Sequence, residues 1–288
     1  MTGTRSSLTT LALAIAAAVA VGCGSSEDGD EASSGKSGGS ITIAQGSQPD
    51  ALDPALAYTS NSWEPLWLVY TPPLTYRRAE GTEGAELIPG VAEARPEISA
   101  GGKTYSFKIR DGLKYSNGAP VKASDFEHSI KRVLSLESGG TYLFEGIVGA
   151  TEYVEAGDPD GDIKGIEPDD KTGEVTIDLT APDGTFDNVL ATTFAAPVPA
   201  STPFENESTN PPPGVGPYEI AKVVPNREFT MQQVKGFDIP DIPKGNVETI
   251  TTKIVKSPAR QAQDVIAGKL DYMQDAPPTD LTAEIKAQ

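Results

Sequence analysis

The chain is poor in the residues that carry most metal and nucleophilic chemistry. Its 288 residues include one cysteine, Cys23, and one histidine, His128. A lone cysteine excludes a disulfide within the chain. One histidine with one cysteine also excludes the clusters of such ligands that hold zinc or a softer metal. A Ser-His-Asp hydrolase would have to use His128, and no Gly-x-Ser-x-Gly elbow accompanies it. Basic residues are scarce as well: 23 Lys and Arg stand against 41 Asp and Glu, a net charge of −18. A surface for a polyanion needs a basic patch, so nucleic acid is not an expected partner. Neither a repeat period, nor a heptad pattern, nor a long low-complexity region appears. The longest apolar run, residues 8–21, is about 14 residues, short of the roughly 20 that span a bilayer.

That run is instead the core of an export signal. Arg5 precedes it, and small residues close it at Ala20-Val21-Gly22, directly before Cys23. Residues 1–22 read as a signal peptide. The junction resembles the lipobox of bacterial lipoproteins, with Ala20 where Leu is usual. The resemblance implies a lipid such as palmitate on Cys23, which becomes the new N-terminus. Residues 24–40 are rich in Gly, Ser, Asp and Glu and hold no aromatic residue, the composition of a flexible tether. A tether after a lipidated cysteine holds a folded domain off a membrane.

Folded sequence begins near Ile41. Alternation predicts strands at residues 41–44, 105–109 and 175–179, with further strands at 219–224, 228–234 and 248–255. Residues 63–70 read as a helix that stops before Pro72-Pro73. Ser124 and Glu127 have the spacing of a capping box, opening a helix that carries Phe126, Ile130, Val133 and Leu134 on one face. His128 lies off that face and is expected at the surface. Residues 260–268 form another helix, stopped by Gly268. The mixture points to an α/β or α+β protein.

Two motif-like stretches carry no function. Gly102-Lys103-Thr104 ends like a P-loop but has Glu97 where that loop needs glycine. Asp158 to Asp162 starts like a calcium loop, but Ile163 and Asp169 stand where the loop needs Gly and Glu, so a solvated acidic turn is expected.

Six segments, in order, resemble the family 5 extracellular solute-binding proteins, a group that includes oligopeptide-, dipeptide- and nickel-binding proteins. They are Leu52-Asp53-Pro54-Ala55, the stretch 87–95 (LIPGVAEAR), the block 102–118 (GKTYSFKIRDGLKYSNG), 120–126 (PVKASDF), 214–218 (GVGPY) and 268–271 (GKLD). The chain departs from the family at Glu93-Ala94-Arg95, where Glu-Ser-Trp is usual, and at Val234 to Phe237, which lacks the expected Trp.

The resemblance implies an α/β protein of the periplasmic-binding-protein type II fold. Members run to nearly twice this length, so the chain is expected to be lobe I with its smaller subdomain, lobe II being mostly missing. The implied division is 41–71 for the first part of lobe I, 72–193 for the small subdomain, 194–274 for the second part, and 275–288 for the start of lobe II. It further implies an ABC-importer binding protein that is not an enzyme, needs no cofactor, acts as a monomer, and hands peptides to a membrane permease. By residue-to-residue analogy, Tyr58, Thr59, Ser60 and Asn61 stand where relatives touch peptide. Trp63 supplies apolar wall, and Tyr142 and Phe144 place aromatics near the ligand. Asp53 and Pro54 read as structural turn residues. The single histidine argues against nickel cargo. Two other readings stay open: an exported hydrolase acting on cell-wall or saccharide material, for which no carboxylate pair stands out, and the same fold with a sugar cargo or a sensor role.

Overall fold

The computed structural model describes residues 37–285. The expected signal peptide, the lipidated Cys23 and the tether up to residue 36 lie outside the described residues. Within them the strands are β1 (Ser40–Gln45), β2 (Leu74–Tyr76), β3 (Leu87–Pro89), β4 (Glu97–Ser99), β5 (Thr104–Lys108), β6 (Ile166–Asp169), β7 (Glu174–Asp178), β8 (Tyr218–Val224), β9 (Glu228–Gln233), β10 (Thr249–Ile254) and β11 (Tyr272–Met273). The helices are α1 (Ser60–Val69), α2 (Ala123–Ser135), α3 (Ala150–Ala156), α4 (Phe186–Val189), α5 (Pro258–Ile266) and α6 (Thr282–Ile285).

The first sheet has the order β11-β1-β10-β9-β8. Strand β1 runs parallel to both β10 and β11, whereas β9 is antiparallel to β10 and β8. Parallel strands need a crossover, and α5 supplies the one that carries the chain from β10 past β1 to β11. Helix α1 covers this sheet: Leu66, Val69 and Tyr70 are buried with Tyr218, Phe229, Met231 and Ile250. The second sheet, β4-β5-β7-β6, is antiparallel throughout. Strand β5 alternates as the sequence suggests, with Tyr105 and Phe107 turned inward. Phe107 meets Phe126 of α2 edge-on, ring centroids 5.4 Å apart. Ile130 and Val133 continue the same buried helix face, each contributing about 1.5–3 kcal/mol by leaving water.

The start of α2 differs from the expected capping box. Lys122 is the N-cap, and its backbone N–H donates to Asp125 Oδ2 at 2.9 Å, two residues ahead of the expected register. Ser124 instead donates through its hydroxyl to Asp170 at 3.0 Å. Glu127 is buried, accepting from the Ile163 N–H at 3.2 Å and pairing with Lys131 at 2.9 Å. His128 is half-buried rather than exposed, because residues 202–204 cover that side of α2. Its Nε2 lies 2.9 Å from the Thr202 carbonyl and its ring meets Phe204 edge-on. Burial lowers its pKa. Residues 100–103 form the β4–β5 turn, with Gly101 and Gly102 at positive φ, and Thr104 opens β5.

One polar contact binds the two sheets' helices. Asp53, just before α1, and Arg132 of α2 are both fully buried and meet in a two-pronged ion pair at 2.9 and 2.7 Å. Further hydrogen bonds surround the pair. Arg132 also donates to the Pro203 and Glu205 carbonyls, and Asp53 accepts from the Ala55 and Glu207 N–H groups. A buried pair persists only when satisfied in this way.

Candidate ligand-binding site

The parallel strands β1, β10 and β11 end on the same side, at Gln45, Ile254 and Met273. Ligands of open α/β sheets bind beyond such carboxyl ends. The loop 46–59 leaves β1 there and delivers the chain to α1. Asp50 organises the loop. Its carboxylate accepts from the N–H groups of Tyr58 (2.9 Å) and Thr59 (3.2 Å), from the Thr59 hydroxyl (2.6 Å) and from the Ser62 hydroxyl. Partial burial opposes its ionisation, but the hydrogen bonds from Ser62, Thr59 and Tyr58 outweigh that and hold its pKa below the usual value. This carboxylate does the work of a cap, since Thr59, the N-cap, makes no side-chain capping bond.

Pro65 lies inside α1 and has no N–H to give to the Asn61 carbonyl four residues back. That carbonyl accepts instead from Nε2 of the buried Gln45, at 3.1 Å. The end of β1 and the start of α1 are thereby tied. Nearby, Gln274, just after β11, donates to the Glu64 carboxylate.

The aromatic residues gather at the same place. Tyr58, Trp63 and Phe194 form a triangle with ring centroids 6.2–6.4 Å apart, two of the three pairs edge-on. The Trp63 indole N–H donates to the Ala57 carbonyl at 2.7 Å. Tyr142 comes in from the other chain segment, and the Tyr58 phenol beside it raises its pKa. Two glycines allow this approach. A Cβ on Gly139 would lie 2.9 Å from the Tyr58 ring, and one on Gly140 would lie 2.8 Å from the Phe194 ring. Tyr58 and Tyr142 stay 48% and 59% exposed, which is where a ligand could reach them. Beside them a cavity of about 350 Å³ is walled by Trp63, Trp67, Tyr76, Leu143, Val189 and Thr192, among others.

The sequence-predicted site residues therefore separate. Tyr58, Trp63 and Tyr142 come together, Tyr58 meeting the Trp63 ring on one side and the Tyr142 phenol on the other, and Trp63 walls the adjoining cavity. Thr59 and Asn61 have their side chains engaged within the protein, with Asp50 and Ser47 respectively. Ser60 is exposed as the first residue of α1 rather than part of a loop. Phe144 is a correction: it has no exposed surface and packs in the core with Phe126 and Ile147, because the turn 141–143 rotates it inward as it presents Tyr142 outward. Trp67, Tyr76 and Val189 were missed. The spacing of Trp67 from Trp63, one helical turn, was the available signal for the first.

Comparison with known proteins gives this geometry a setting. Residues 86–288 match the family described as bacterial extracellular solute-binding proteins, family 5. The dipeptide-binding protein DppE of Bacillus subtilis is 30% identical over 196 residues, which is 65% of this chain and 34% of DppE. The periplasmic oligopeptide-binding protein OppA of Escherichia coli is 28% identical over 212 residues, 69% of this chain and 37% of OppA. Among solved structures, clavulanic acid biosynthesis oligopeptide binding protein 2 superposes with a TM-score of 0.74 at 26% identity, covering 82% of this chain and 43% of that one. The chain thus spans less than half the length of these relatives. The α/β architecture is that of periplasmic-binding-protein-like structures, and the family is one of binding proteins rather than enzymes. This chain belongs to the family 5 bacterial extracellular solute-binding proteins.

Proposed function

We propose that this chain is one jaw of a peptide-capturing protein that serves an ABC importer, held at the outer face of the cell membrane by a lipid on Cys23. The observation that carries the reading is the meeting of Tyr58, Trp63 and Tyr142 at the carboxyl end of the parallel strands, two of them exposed beside a concave apolar wall. Such a surface suits a cargo that varies in side chain. Aromatic faces bind apolar groups without demanding one shape, and fixed polar groups hold the backbone. Relatives named for dipeptides and oligopeptides support peptides as the cargo class. In this reading the division is 41–71 and 194–274 for the larger part of the jaw and 72–193 for its subdomain. The first sheet falls in the former and the second in the latter. A second lobe closes over the cargo and expels water, and the closed form docks on a permease. Monomeric action fits a jaw whose partner is another lobe rather than another copy.

Thermal shift of the purified chain against a peptide library, with mass spectrometry of the mixture, tests the cargo. A saturable shift without product supports the reading. The lone jaw is expected to bind peptides poorly, so absence of any shift overturns the reading only with the second lobe joined; turnover that a carboxylate substitution abolishes overturns it in either form. The anchor is tested by Cys23→Ser, which should release the exported protein from the membrane fraction; unchanged retention would refute lipidation.

A further inference from the structure

The apolar cavity beside the aromatic triangle does not stop at Trp67. A second cavity of about 440 Å³ adjoins it along Trp67 and Tyr76 and is lined by Arg77, Arg78 and Glu80. The two together make a trough with an apolar floor and one cationic end. At that end the cations differ. Arg77 is paired, 2.7 Å from Glu86 and 3.9 Å from Asp241. Arg78 is not: among the described residues no carboxylate, Glu80 included, lies within 4.0 Å of its guanidinium. It stacks over the Trp67 ring at 5.4 Å and gives one hydrogen bond, to the Trp67 carbonyl at 3.0 Å. A guanidinium carries five N–H donors, so most of its capacity is free and already oriented by the stack.

Thr193 lines the apolar half, and its hydroxyl is enclosed rather than exposed to it. The other polar walls are already partnered and rigid: Tyr76 donates to Asn188 at 2.9 Å, and Thr192 to the Val189 carbonyl at 2.8 Å.

We propose that this trough binds an amphipathic carboxylate, its apolar body lying against Trp63, Trp67, Tyr76 and Val189 and its carboxylate on the Arg78 guanidinium. This goes beyond the peptide-jaw reading, because every residue it needs is present in the chain and no second lobe is required.

Trp63 and Trp67 are the chain's two tryptophans, so indole fluorescence reports the trough directly. Titrate the full chain with N-acetylphenylalanine and, separately, with N-acetylphenylalaninamide, which differs only in lacking the charge. The acid should give a saturable fluorescence change with millimolar or tighter affinity, and the amide should bind about tenfold more weakly. Arg78→Gln should weaken the acid about tenfold and leave the amide unchanged, while Lys171→Gln, on an exposed turn, changes neither. Equal affinity for acid and amide on the unaltered chain overturns the proposal, whether or not Arg78→Gln folds. So does an absent saturable response to the acid. Tyr142→Ala should impair peptide capture but spare this response; loss of the acid response in that variant would place the acid at the Tyr58–Tyr142 surface and overturn the trough. Passing these tests while the two-lobed protein binds no peptide would sink the peptide reading alone.

Discussion

Asp53 and Arg132 have both left water completely, so each depends on the other for its charge to be tolerated. Removing one partner leaves an uncompensated charge in the interior. Arg132→Met is expected to lower stability by about 3–5 kcal/mol, and Asp53→Asn by a similar amount. The double variant should lose less than the two losses together, because the second change removes a charge the first had already orphaned. Urea unfolding of the four proteins measures this; simple additivity would mean the pair is not coupled. Asp50 offers a different test. Its folded pKa lies below the unfolded value near 3.8, so the stability it adds is present in full above that pH and is lost as pH falls through the folded pKa. Asp50→Asn should cost about 1 kcal/mol at neutral pH, the typical worth of a helix cap. The difference in melting temperature between variant and parent should shrink in acid below the unfolded pKa. A difference that stays constant down to the acid limit would show that the carboxylate's charge is not what holds the loop.

At the scale of elements, the turn at residues 138–143 sets how closely the two chain segments approach. Gly140 has an ordinary negative φ, so its glycine is required by the Phe194 ring rather than by backbone conformation. Gly140→Ala is expected to cost about 1–3 kcal/mol through overpacking and to weaken peptide capture by spreading the aromatic triangle. Gly146→Ala, where an added Cβ meets nothing within 4 Å, is the matching control and should change stability by less than about 0.5 kcal/mol. Parallel melts of the two variants decide; an equal effect would mean that the Phe194 contact is not limiting. The elements that could be read from sequence are those whose one buried face imposes a period: β5 and β7 alternate, and α2 repeats its apolar residues by turns. Three-residue strands such as β2, β3 and β4 carry too few positions to show one. The cap of α2 was displaced because two acids stand near its start, and only tertiary packing shows that Asp125 turns back while Glu127 turns in. His128 went the same way: which side of a helix is covered depends on segments far along the chain, here residues 202–204.

At the scale of the molecule, residues 37–285 carry two larger sheets and the two-stranded β2–β3 pair, with two apolar clusters, yet they fall within one compact unit. What makes two cores behave as one is the set of links between them. Asp53 belongs to the stretch before α1 and Arg132 to α2, and both hold the loop 203–207. Trp63 adds an apolar link, packing against both clusters. Cooperative unfolding follows if these links cost more to break than either core can bear alone. Two probes can see the parts separately. Both tryptophans lie on α1, so fluorescence follows the side of the first sheet, whereas far-ultraviolet circular dichroism follows all strands and helices. In the parent chain the two urea transitions should coincide. In Arg132→Met they should part, fluorescence changing at lower urea than the dichroism, because α1 loses its tie to α2 while the Phe107–Phe126 packing of the second sheet is untouched. Coincident transitions in the variant would mean that the apolar link through Trp63 suffices by itself, and that the ion pair secures the geometry of the loop 203–207 without coupling the two sheets.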